Sequence, residues 1–316
     1  MNTLLRYLML FAALAAVTDT DARASSHHRI VHRISYDALA SPEVSALSVL
    51  VLNQKDGLPL YQKNANMETP IASISKLMTA MVVLDAHQDM DEVLAITPAD
   101  VDMLRHSSSR LPVGTELSRG ELLHLALIAS ENRAAYALAR NYPGGLASFI
   151  VAMNNKARQL GMEHTSFEDP TGLSSHNQST AADLGRMVQA AIRYPVIHQI
   201  TTTANYEITR TVMARMRNNH KRSWRTVTQT VAFHNTNQLL RDDTWEIGLS
   251  KTGFINEAGH CLVMQAKIAQ KPVIIVLLDA SGKYGRINDA RRIRGWLEHQ
   301  ADNNKLAAHL QPIASN

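Results

Sequence analysis

The sequence predicts an α/β (α+β) domain in which one antiparallel sheet, built from strands at both ends of the chain, carries a helical lobe inserted between them. Three observations predict it. Residues 46–53 and 58–62 are strand-like runs around a Lys55-Asp56-Gly57 turn, residues 98–194 are dominated by helix-period patterns, and beyond Tyr194-Pro195 the chain returns to strand-like runs. Strands separated in this way complete a single sheet, and the helical middle then packs against it. At 316 residues, with 45% hydrophobic and 19% charged residues, the chain can bury one large core or two modest ones.

Taken in order, Arg6 precedes an apolar run over residues 7–17, and Ala22-Arg23-Ala24 offers the small residues that an export peptidase reads. Residues 1–24 therefore read as a signal peptide, because the run is too short for a bilayer, which needs ~20 residues. Export implies an oxidising compartment, the periplasm, yet Cys261 is the only cysteine, so an intrachain disulfide is excluded. It lies in the alternating run 260–264 and reads as a buried strand residue. Residues 25–44, with His27, His28 and His32, read as a mobile leader. The folded domain is expected over 45–301, with its helical insertion over about 77–195.

Within that insertion the patterns predict helices over 100–104, 118–128, 133–140, 146–160 and 181–192. Pro112-Val113-Gly114, Pro143-Gly144-Gly145 and Pro170-Thr171-Gly172 punctuate them. Strands follow over 206–211, 245–249, 259–268 and 273–278, then a closing helix over 287–299 and a disordered tail over 302–316. The net charge of +4 and a pI near 9.2 suit an anionic partner such as cell wall. The stretch 210–225 holds Arg210, Arg215, Arg217, Lys221, Arg222 and Arg225 without an acid, and reads as a solvated edge or loop. Nucleic acid is not expected as a partner of an exported chain.

Chemistry concentrates in three stretches. Ser73-Ile74-Ser75-Lys76 stands where Thr69-Pro70-Ile71 gives way to the helix-favouring run 77–86, so the Ser73 hydroxyl and the Lys76 amine can meet one turn apart. A lysine can take the serine proton only if burial or a second cation pulls its pKa far below ~10.4. A helix start also supplies a backbone N–H at Ser73 for an oxyanion. Ser130-Glu131-Asn132 and Lys251-Thr252-Gly253 follow. The ordered set Ser-x-x-Lys, Ser-x-Asn, Lys-Thr-Gly is that of penicillin-binding proteins and class A β-lactamases.

On these motifs, and on residues 70–86, 130–135, 142–145, 170–184 and 251–264, the chain resembles the low-molecular-mass penicillin-binding proteins, the serine D-Ala-D-Ala peptidases. The resemblance implies a five-stranded antiparallel sheet flanked by helices, with the site where sheet and helical lobe meet. It implies Ser73 as nucleophile, Lys76 as general base, Ser130 as proton relay, and Asn132, Lys251, Thr252 and Gly253 as substrate contacts. The backbone N–H of Phe254 is then the second oxyanion donor. Lys251 is expected to help keep Lys76 neutral, Glu131 to be exposed and spare, and His234 to lie near the cleft. Endopeptidase action on D-alanyl to diaminopimelate cross-links of peptidoglycan is implied, with carboxypeptidase action as the alternative, stem peptides as partners, β-lactams as covalent inhibitors, and neither cofactor nor stable membrane anchor.

Other readings are weaker. A class A β-lactamase has a water-activating glutamate followed four residues later by asparagine, whereas Glu168 is followed by Gly172. His176, Asp183 and His260 with Glu257 mimic a zinc-peptidase pattern, but Thr180 and Asp183 also form the polar pair of a helix start, and 257–259 reads as a hairpin turn. A non-catalytic wall-binding module would not need all three motifs.

Overall fold

The computed structural model describes residues 41–218 and 221–309. The expected signal peptide and most of the expected leader lie outside them. The chain enters as a hairpin, β1 (Ser48–Asn53) and β2 (Pro59–Lys63), then passes β3 (Thr69–Pro70) and a 3-10 turn, Ala72–Ile74, into α1 (Ser75–Asp85). The lobe continues through β4 (Val93–Ala95), β5 (Glu116–Ser118), α2 (Arg119–Ile128), α3 (Asn132–Arg140), α4 (Gly145–Gln159), β6 (Gln178–Ser179), α5 (Ala181–Ala191) and α6 (Pro195–Thr202). A long two-stranded ribbon, β7 (Asn205–Asn218) and β8 (Lys221–His234), leads to β9 (Glu246–Ile255), β10 (Gly259–Ile268), β11 (Lys271–Ala280) and α7 (Gly285–His309).

The main sheet has five strands in the order β2-β1-β11-β10-β9, all pairs antiparallel. It forms because β1, β10 and β11 are apolar on both faces. Leu50 and Leu52 of β1 and Ile274, Val276 and Leu278 of β11 face the helical lobe, while Val49, Val51, Val273, Ile275 and Leu277 face the layer that includes Ile287, Ala290 and Ile293 of α7. Each such side chain contributes ~1.5–3 kcal/mol on burial. On the lobe side α1 is buried continuously from Ser75 to Val83, with α2, α3, α4, α5 and α6 packed around it. Asp289, fully buried, accepts hydrogen bonds from Ser45 N, Ser45 Oγ and Ala46 N at 2.8–3.0 Å and ties α7 to the start of the sheet.

Several expectations change. The helix expected over 100–104 is only a 3-10 turn, Pro98–Asp100. Beyond it the Asp102 carboxylate takes the N–H groups of Leu104, Arg105 and Ser107 and competes with helix continuation. The expected strand 206–211 is one limb of a 14-residue pairing, and α6 starts at Pro195, which has the fixed φ suited to a first helical position. Of the disordered tail expected over 302–316, residues 302–309 belong to α7 and 310–316 lie outside the described residues. The insertion also contains two small sheets, β3 with β6 and β4 with β5.

Candidate active site

The site is assembled where β9, an edge strand, runs beside the start of α1. Gly253 makes the approach possible, since a Cβ there would lie 2.8 Å from the Ile71 carbonyl oxygen and 3.2 Å from Ser73 N. From the other side the loop between α4 and β6 closes in. A Cβ on Gly172 would sit 1.9 Å from the Ala72 carbonyl oxygen, and Gly172 itself has φ +80°. Ala72 and Ser130 adopt φ +49° and +58°, left-handed conformations that cost non-glycine residues energy and are held by their surroundings.

Ser73, Lys76 and Asn132 form one hydrogen-bonded set, and Ser130, Lys251 and Thr252 a second set. Lys76 Nζ lies 2.8 Å from Ser73 Oγ, 2.7 Å from Asn132 Oδ1 and 2.7 Å from the Thr171 carbonyl oxygen. The last two partners can only accept. A neutral amine has two N–H bonds and one lone pair, so it donates to Asn132 and Thr171 and turns its lone pair to the Ser73 hydroxyl. Lys251 Nζ donates to Ser130 Oγ at 2.8 Å and to the Thr252 carbonyl at 2.9 Å.

Both lysines are fully buried. Burial pulls the Lys76 amine down to about 7, against the Asp169 and Glu131 carboxylates, which act in the opposite direction. Burial likewise holds Lys251 well below its ordinary value, helped by Lys76 and by Arg286. Desolvation, the first of the two expected forces, is thus the leading cause for both lysines. Glu131 is also corrected. It is buried, accepts from Ser109 Oγ at 2.7 Å and from Arg110 N at 3.2 Å, and fixes the segment before α3.

Several contributors carried no motif. Asp169 accepts from the N–H groups of Thr171, Gly172 and Ser174, and so shapes the loop that presents the Thr171 carbonyl to Lys76. An aspartate ahead of Pro-Thr-Gly is the recognisable signal for that turn. Asn177, fully buried, ties the same loop to Ser75 of α1. Ser107 Oγ accepts from Asn132 Nδ2 at 2.9 Å, Thr236 Oγ1 shares a 2.6 Å bond with Thr252 Oγ1, and Arg286 donates to the Gly253 carbonyl at 2.8 Å. Phe254 is half exposed and stacks on His260, with ring centroids 4.4 Å apart. His234 is exposed and bonded to Asn205, so Thr236 is the member of its segment that reaches the cluster.

The zinc constellation is not brought together. Asp183 Oδ2 accepts from His164 N and Thr165 Oγ1, His176 pairs with Glu168, and Glu257 pairs with Arg105. Among the described residues no three histidine, cysteine, aspartate or glutamate side chains are grouped to hold a metal ion. Nor is any helix among them long and apolar enough to cross a membrane.

Comparison with known proteins gives a consistent result. Residues 36–282 match the family described as D-alanyl-D-alanine carboxypeptidase. The chain is 45% identical to the D-alanyl-D-alanine endopeptidase of Pseudomonas aeruginosa, over 94% of this chain and 89% of that one. It is 46% identical to the corresponding endopeptidase of Escherichia coli, over 82% and 79%. The crystal structure of the Streptomyces K15 DD-transpeptidase superposes with a TM-score of 0.72 at 29% identity, covering 82% of this chain and 98% of that one.

Proposed function

This chain belongs to the D-alanyl-D-alanine carboxypeptidase family of serine peptidases, and on that premise we propose that it is a D-alanyl-D-alanine endopeptidase that opens D-alanyl cross-links of peptidoglycan from the periplasm. The observation that carries the mechanism is the pair of acceptor-only contacts on Lys76 Nζ, which leave its lone pair for Ser73. The choice of endopeptidase over carboxypeptidase rests on 45–46% identity to endopeptidases, against 29–30% to carboxypeptidases from Bacillus subtilis and Streptomyces.

In this reading Ser73 Oγ attacks the D-alanyl carbonyl carbon as its proton passes to Lys76 Nζ. The oxyanion is received by the backbone N–H groups of Ser73 and Phe254. Collapse breaks the C–N bond, and the departing amine takes a proton through Ser130, which the Lys251 contact keeps oriented. Asn132 holds the substrate amide, while Lys251 and Thr252 hold a carboxylate on the leaving half. Water then hydrolyses the ester. A penicillin acylates Ser73 in the same way, but its amine stays tethered and the adduct persists.

The test is labelling by a fluorescent penicillin in wild type and Ser73→Ala, with and without EDTA, followed by digestion of cross-linked and uncross-linked muropeptides. The expected result is EDTA-resistant labelling that vanishes with Ser73, and conversion of cross-linked dimers to monomers. Cleavage stopped by EDTA without labelling would overturn the serine mechanism. Release of terminal D-alanine alone would replace the endopeptidase reading by the carboxypeptidase one.

A further inference from the structure

Beyond the Ser73 cluster lies a second polar cavity of about 520 Å3, walled by three separate stretches of chain. Arg105 comes from the loop between β4 and β5, Glu168 and His176 from the loop before β6, and Glu257 from the turn between β9 and β10. Arg105 Nη2 pairs with Glu257 at 3.0 Å, while its Nε donates to the Leu173 carbonyl and so anchors the guanidinium. Its Nη1 makes no hydrogen bond among the described residues. Across the cavity Glu168 Oε2 meets His176 Nδ1 at 3.0 Å and Ser174 Oγ at 3.1 Å. Asp169 also lines the space, but its carboxylate is already taken by the backbone of its own loop. The cavity offers a ligand the Arg105 cation and the Glu168 and Glu257 carboxylates. The side chains are open to it, Glu257 being 47% and Glu168 58% exposed.

The location follows from the direction of β9. The leaving half of the substrate lies toward Lys251, Thr252 and Ser130. The two halves depart from the scissile carbonyl in opposite directions, so the acyl half runs along β9 past Phe254 toward Glu257. Three residues of extended chain cover ~10 Å, within reach of a long side chain on the residue that precedes the D-alanine.

We propose that this cavity is a subsite for that preceding residue, and that it takes a side chain ending in an ammonium and a carboxylate on one carbon, as diaminopimelate does. Arg105 Nη1 receives the carboxylate, and Glu257 and Glu168 receive the ammonium. A side chain with an ammonium alone satisfies half of the site, and an alkyl side chain none of it. The inference rests on the reading of Ser73 as the acylated nucleophile. Because an ion pair with an exposed carboxylate adds little to stability, Glu257 can be changed without unfolding the domain.

The experiment uses three D-alanyl thioesters of mercaptoacetic acid that differ only in the preceding residue: diaminopimelate with both distal groups free, lysine, or norleucine. Their kcat/KM is measured for wild type, Arg105→Ala and Glu257→Gln, with penicillin acylation of each protein followed in parallel. Wild type is expected to prefer diaminopimelate over lysine and lysine over norleucine by about tenfold per step, the usual effect of one charge-assisted contact. Arg105→Ala should reduce diaminopimelate to the lysine level, and Glu257→Gln should narrow the gap between lysine and norleucine, with penicillin acylation unchanged within about twofold. Glu257→Gln keeps the Arg105 contact to Leu173 and decides the matter if the loop yields in Arg105→Ala. Equal kcat/KM for the three thioesters, with normal penicillin acylation, would overturn the subsite and leave the Ser73 reading standing. Absence of acylation in the wild type would overturn both.

Discussion

Replacing Asn132 by aspartate places a carboxylate where an amide oxygen now lies 2.7 Å from Lys76 Nζ. The two charges would be separated by roughly 4 Å or less, worth ~4 kcal/mol at an effective dielectric near 20. That corresponds to about three pKa units, at ~1.36 kcal/mol each, in favour of the ammonium. Burial now sets the Lys76 amine at about 7, so about half of it is neutral at pH 7 and roughly nine tenths at pH 8. The wild-type rate of penicillin acylation should therefore rise about tenfold from pH 6 to pH 8 and then level off. In Asn132→Asp the rise should move to roughly pH 9–10, with a loss of two to three orders of magnitude at pH 7 that is largely recovered in alkali. The assay is the second-order rate of fluorescent penicillin labelling between pH 5.5 and 10.5, with the fold checked by circular dichroism at each end. A flat wild-type profile, or an inflection that stays near pH 7 in the variant, would mean that another group accepts the serine proton.

Three further outcomes follow from the packing. Gly172→Ala forces a methyl group onto the Ala72 carbonyl at a φ of +80°, and should lower stability by about 2 kcal/mol or more and abolish labelling; urea titration and the penicillin assay measure the two effects. Asp289→Ala removes the acceptor shared by Ser45 and Ala46, leaving buried donors unpaired at a cost of ~2–4 kcal/mol, visible in urea unfolding, while penicillin labelling of the folded fraction is unchanged. Burial pushes the Cys261 thiol up to about 11, so a thiol reagent at pH 8 should leave the native protein unmodified and react once denaturant is added; rapid reaction with native protein would show that β10 opens.

Much of the architecture was legible because it follows from local rules. The apolar runs at 46–53, 259–268 and 273–278 could only be buried strands, and Thr180 with Asp183 marked the start of α5, where the Thr180 side chain accepts from Asp183 N. The ribbon β7 and β8 escaped the reading beyond residue 211 because its outer part lacks the strict polar-apolar alternation by which a half-buried strand is recognised. The 3-10 turn at Pro98–Asp100 escaped it because the aspartate side chains compete with the backbone for N–H groups, which periodicity does not register.

For the site, the residue types and their order pointed by themselves to the proposed chemistry: a serine one turn from a lysine, a second serine two residues before an asparagine, and a lysine ahead of a threonine and a glycine. Only the tertiary structure decided how the Lys76 amine beside Ser73 is held. The Lys76 amine is stripped of water by α1 and its neighbours, and its N–H bonds are claimed by Asn132 from one segment and the Thr171 carbonyl from another. The same is true of Glu131, a motif residue that reads as solvent-facing and is in fact buried against the Ser109-Arg110 loop. Sequence spacing determines which groups can meet along a helix. Desolvation and hydrogen-bond saturation depend on everything that packs around them, and those contacts join residues that lie 56 and 95 positions from Lys76 in the chain.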